Sequence, residues 1–201
     1  MEDGKFKNIS DSLTKLYAWN HGIITGSGEH TVIETAIELF TKISKSRIET
    51  LPKCLQISRM IRELKVEHFQ IAITKLLYSD ETESSIQLHM IEPNEIGEYH
   101  ISKCKKNEIV LWLFEPCVEP IISILQELYS KLQPRKAFLN QQEWYDYYIN
   151  DLCRIYKIQA QHDPLMSQSF DFVFQSKDDY VHGHIPNLHN RPLNFIENIC
   201  N

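Results

Sequence analysis

The hydrophobic period of this chain changes partway along. From Thr31 to Leu77 apolar residues recur three and four apart, the spacing of a helix face. From Ile86 to Phe114 they alternate or run together, as strands do. No single regular element serves both periods, so helices must share a core with a sheet, and the class is α+β. The 201 residues are 42% apolar, enough for one sizeable core or two small ones. Ordinary apolar content and low charge per residue exclude a disordered chain. Six Gly and eight Pro exclude a collagen-like one. A formal net charge of −6 argues against a general nucleic-acid coat.

The periods predict particular elements. Residues 1–20 form a loosely amphipathic lead-in, with Ile9, Leu13, Leu16 and Tyr17 at helical spacing. The segment from Gly22 to Gly28 holds three of the six glycines and reads as a flexible loop. Thr31 and Glu34 have the spacing of a capping box at the start of a helix over 31–46. A second helix is expected over 52–65, with Pro52 in its first turn and Leu55, Ile57, Met60, Ile61 and Leu64 as its apolar positions. A third follows over 68–78, ended by the polar stretch 79–85. A three-stranded meander then runs through 86–90, 99–101 and 109–114. Two further helices are expected over 120–133 and 141–159, then a strand around Phe170, Phe172 and Phe174 and an irregular polar tail. The boundary is placed near Pro116 to Pro120, which gives regions 1–116 and 117–201, unless the chain is one domain.

Three helices followed by a hairpin is the order of a winged helix-turn-helix. Residues 31–114 resemble such modules: Arg62-Glu-Leu-Lys-Val66, four residues, then Ile71-Ala-Ile-Thr-Lys-Leu-Leu77, with Lys65 where a Gly often stands. The resemblance implies a helical, winged-helix-like N-terminal half followed by an antiparallel sheet and two further helices. Acidic winged-helix proteins serve as subunits of chromosome-organising, defence and transcription complexes, and the resemblance implies a role of that kind.

Charge singles out the same segment. Residues 42–77 carry eight basic and three acidic residues, +5, which leaves −11 for the rest. Lys53, Arg59, Arg62, Lys65 and Lys75 are therefore candidate contacts to nucleic acid or to an acidic protein surface. The fifth helix is crowded with aromatics. Tyr145 and Tyr148 fit its apolar face, whereas Trp144 and Tyr147 fall off it and are candidate partner contacts.

A second candidate lies near the end of the chain. His182 and His184 would point the same way on a strand, and with His189 they could hold a divalent transition metal, beside a Gly183 that lets a ligand approach the backbone. Glu143, Asp146 and Asn150 share a helix face. Cys117 sits near a helix start, where a thiol pKa can fall. The glycines of 22–28 precede a helix N-terminus without the ending of a P-loop. None of these forms a recognisable catalytic set, so no catalytic residue and no obligatory cofactor are assigned.

The five cysteines are odd in number and contain no CxxC, which fits reduced thiols. No window of about 18 apolar residues exists, and the N-terminal ten residues are polar. The expectation is a cytoplasmic protein without a membrane partner. Its function is expected to be that of a non-enzymatic binding or accessory subunit of a larger multi-protein assembly. The alternatives are nucleic-acid binding through residues 42–77 and a metal-dependent hydrolase or nuclease using His182, His184 and His189.

Overall fold

A computed structural model describes residues 16–19, 21–66, 71–83, 85–106, 108–112, 117–163, 166–167, 169–177 and 179–186. They divide into two compact units, one up to residue 106 and one from residue 108 onward.

Among the described residues the first unit opens with strands rather than helices; Ile9 and Leu13 of the expected lead-in lie outside them, and Leu16 and Tyr17 are in a strand. β1 (Leu16–Trp19) and β2 (Gly22–Ser27) form a hairpin. α1 (His30–Glu38) follows, continues through a π-helical turn over Leu39–Ile43, and leads to α2 (Leu51–Glu63). β3 (Lys75–Glu81), β4 (Ile86–Pro93) and β5 (Tyr99–Lys103) complete a five-stranded sheet in the order β1-β2-β3-β4-β5, every neighbour antiparallel. The two helices thus sit inside the β2–β3 connection. This arrangement overturns the winged-helix reading, because the sheet begins before the helices and the helices do not form a separate N-terminal half.

The decisive correction is at residues 68–78. Residues 67–70 lie outside the described ones; in the remainder of the expected third helix 71–74 form no helix and 75–78 belong to β3. Leu76 pairs with Gly26 on one side and Ile91 on the other, and Tyr78 with Ile24 and His89. Thr74, Leu76 and Tyr78 are buried in alternation, a period of two that the apolar outward residues Ile73 and Leu77 hide in the sequence. β-branched Ile71, Ile73 and Thr74 favour the extended form. The polar stretch thought to end a helix is instead the end of β3 and the β3–β4 turn, where Thr82 N–H donates to the Ser85 carbonyl at 2.9 Å.

The glycine-rich segment is β2. Gly28 has φ +112°, and a Cβ there would lie 2.3 Å from the Ile73 carbonyl oxygen, so only glycine fits between the strand and the entry to α1. The Thr31–Glu34 capping box does not form. The helix starts one residue earlier, and the Glu29 carbonyl receives the first amides, from Val32 and Ile33, at 3.1 Å.

The core lies on one face of the sheet. Ile24, Leu76, Tyr78 and Ile91 from the strands meet Val32, Ile33, Ala36 and Phe40 from α1 and Leu51, Cys54 and Leu55 from α2. The β4–β5 pairing matches the expected hairpin, and Asn94 Oδ1 accepts from the amides of Ile96 and Glu98 to close its turn. The third meander strand is not found: residues 108–112 form no strand, and 113–116 lie outside the described residues.

The second unit holds α3 (Ile122–Ser130), α4 (Gln141–His162) and a two-stranded hairpin of β6 (Phe170–Gln175) and β7 (Tyr180–Ile185). Asn140 caps α4 by accepting from Glu143 N–H at 2.8 Å, and the Glu143 carboxylate accepts from Leu139 N–H at 2.6 Å. The expected strand at 170–175 is present. Part of the tail expected to be irregular is β7, with Phe170 opposite Ile185 and Phe172 opposite Gly183.

α2 carries two apolar stripes; of the apolar positions read from the sequence, Leu55 is in the core, while Ile57, Met60, Ile61 and Leu64 face outward. Leu51, Cys54 and Leu55 face the sheet, while Leu64 is 88% exposed. Leu55→Ala should therefore destabilise the protein by about 2–5 kcal/mol, and Leu64→Ala by less than about 0.5 kcal/mol. Urea unfolding of the two variants measures this; equal losses would contradict the orientation of α2.

Candidate protein-docking face

The outward stripe of α2 is built from Ile57, Met60, Ile61 and Leu64, at i, i+3, i+4 and i+7. They are 39%, 55%, 36% and 88% exposed. Scattered exposed apolar residues are ordinary, whereas a continuous row along one helix is the kind of surface that association buries. Lys53 stands four residues before Ile57 on the same face, and Lys65 directly follows Leu64; both are exposed.

The five basic residues singled out from the sequence do not form one patch. Arg59 is held by Glu63 at 2.9 Å, and its guanidinium lies beside the half-buried Tyr99. Burial pushes the Tyr99 phenol up, and Arg59 pulls it back down. Arg62 reaches Glu29 at 2.9 Å, tying the end of α2 to the start of α1. Lys75 pairs with Glu92 at 2.8 Å. Because Leu76 faces the helices, Lys75 stands on the opposite face of the sheet from α2. Lys53 and Lys65 remain, with no ion pair among the described residues, at the two ends of the apolar stripe.

The aromatic candidates on α4 part company. Trp144 is buried, packed on Phe174 with ring centroids 5.7 Å apart and covered by the Arg135 guanidinium at 5.4 Å. The sequence spacing left it off the apolar face because a helix covered on more than one side has no single stripe. Tyr147 is 41% exposed, and its hydroxyl donates to the Lys131 carbonyl at 3.2 Å.

His182 and His184 do share one exposed face of β7, as the alternation implies, and His189 lies outside the described residues. His182 stacks on Tyr180 at 5.0 Å, and His184 Nδ1 meets Asp171 Oδ1 at 2.8 Å across the hairpin. Space over Gly183 is taken by the Phe172 ring, 2.7 Å from where a Cβ would stand. Among the described residues no three His, Cys, Asp or Glu side chains come together to hold a metal. Glu143 is spent on its cap, and Asp146 accepts from Gln142 at 2.7 Å. Cys117 is exposed beside Glu119, whose carboxyl is held down by its own backbone amide and the Cys117 thiol. Burial pushes the Cys153 thiol up to about 11, which keeps it protonated at neutral pH.

The comparisons with known proteins supply no relative: no family model, no curated protein and no solved structure matches the chain. No helix among the described residues is long and apolar enough to cross a membrane.

One charged contact organises the second unit. Asp179, at the β6–β7 turn, receives Arg135 Nε at 2.6 Å and the Gln141 side-chain amide, and the same Arg135 covers Trp144. Gln141 and Arg135 hold the Asp179 carboxyl below its ordinary value of 3.8. A depressed folded-state pKa stabilises above the unfolded value and loses that contribution as pH falls through the folded one. Stability should therefore fall as pH drops below about 4, and Asp179→Asn should flatten that limb while lowering stability at neutral pH. An unchanged acid limb in the variant, followed by circular dichroism, would contradict the assignment.

Proposed function

We propose that the protein is a non-enzymatic binding subunit of a larger protein assembly, docking through the outward face of α2. The observation that carries this reading is the row Ile57, Met60, Ile61 and Leu64, an apolar stripe in water on a helix whose other stripe already fills the core. Keeping such a row exposed favours association, since burying apolar surface gains roughly 25 cal/mol per Å². The ion pairs of Arg59, Arg62 and Lys75 take three cations out of the set that a phosphate-binding strip would need, which favours protein over nucleic acid as partner. The winged-helix analogy no longer lends support, so the kind of assembly is left unspecified.

The test compares the wild type with Met60→Glu and Leu64→Glu, each purified from its native source under mild conditions. The wild type should elute with a stoichiometric protein partner. The variants should retain their fold, because both side chains are exposed, and lose that partner. Partners recovered equally from all three proteins would refute docking through α2.

A further inference from the structure

We infer, on the reading that α2 docks, that its partner presents an amphipathic helix whose apolar stripe has acidic residues at both ends. Four apolar side chains in a straight row make a ridge, and a ridge of this kind seats in the groove between side-chain rows of another helix. The charges at the ridge's ends set the partner's sign. Lys53 lies in the first turn of α2 and Lys65 two residues past its end, so they bracket the ridge, with about 15 Å of helix between Lys53 and Glu63 at 1.5 Å per residue. The other cations of α2 have carboxylates of their own, Arg59 on Glu63 and Arg62 on Glu29, so the two positions left for a partner to neutralise are those at the ends. A helix of three to four turns with Asp or Glu about eleven or twelve residues apart matches them.

The same two lysines argue against a second copy of the chain. Antiparallel pairing of two α2 ridges would set Lys53 of one copy against Lys65 of the other. Parallel pairing would set each lysine against its own counterpart. Both put like charges together beside an apolar seam, the arrangement that suppresses wrong partners.

Two synthetic helical peptides of about 18 residues serve as probes. They share one Leu stripe and differ only in carrying Glu or Lys at both ends. Fluorescence anisotropy at low salt follows their binding to the full chain, to the Lys53→Glu/Lys65→Glu variant and to Leu64→Glu. The Glu-ended peptide should bind the wild type about fivefold more tightly than the Lys-ended one. The preference should reverse in the charge-swapped variant, and Leu64→Glu should bind neither peptide. Equal binding of the two peptides, tighter binding of the Lys-ended one, or no binding of either overturns the inference. If the native partner is still lost on Leu64→Glu, only the partner's assigned chemistry falls. If it is retained, the docking reading falls as well.

Discussion

The packing of α2 onto the sheet decides where the rest of the first unit points. Leu51, Cys54 and Leu55 enter the layer formed by Ile24, Leu76, Tyr78 and Ile91, and α1 fills the remainder with Val32, Ile33, Ala36 and Phe40. Once that stripe is buried, helix geometry turns Ile57, Met60, Ile61 and Leu64 to water, because the two stripes lie roughly a quarter-turn or more apart. Ion pairs accompany that packing. Arg62 to Glu29 joins α2 to α1, and Arg59 to Glu63 runs along the helix beside Tyr99. One packing decision therefore sets both the stability of the unit and the surface it offers.

Much of the secondary structure was readable before any coordinates. The helix over 31–46, the second helix with Pro52 in its first turn, the β4–β5 hairpin with its Asn94 turn, α3, α4 with its Asn140 cap and β6 all follow from period, capping and turn chemistry. The failure at residues 71–77 has a definite physical cause. Short apolar runs fit a buried strand and a helix equally well, and Ile71 to Leu77 is such a run. With Ile73 and Leu77 apolar on the outward side, the alternation that marks β3 was masked. The topology was lost there and at β1 and β2, which were read as a helical lead-in and a glycine-rich loop, so the hairpin that β3 joins to β4 was not foreseen.

The candidate site was legible by location and misread by face. The sequence pointed to α2 through its basic residues and its apolar spacing; of those basic residues Lys53 and Lys65 flank the exposed apolar row, while Arg59, Arg62 and Lys75 are paired. Periodicity shows that a stripe exists without showing which stripe the sheet will cover. Summed charge behaved similarly. A +5 segment looked like one patch, yet three of its five singled-out cations are neutralised by Glu29, Glu63 and Glu92, two of them distant in sequence. Those partners can only be assigned once the strands and helices are placed. Trp144 was misjudged for the complementary reason: Arg135 and Phe174, from elsewhere in its unit, cover a position that its own helix leaves open.

The central claim is that the outer face of α2 is exposed in the isolated chain and buried in its assembly. Hydroxyl-radical footprinting of Met60 addresses it directly, since a thioether oxidises readily where water reaches it. Met60 is 55% exposed here, so it should oxidise rapidly in the isolated protein and be protected severalfold in the native assembly. Equal oxidation of Met60 in both states would contradict the account.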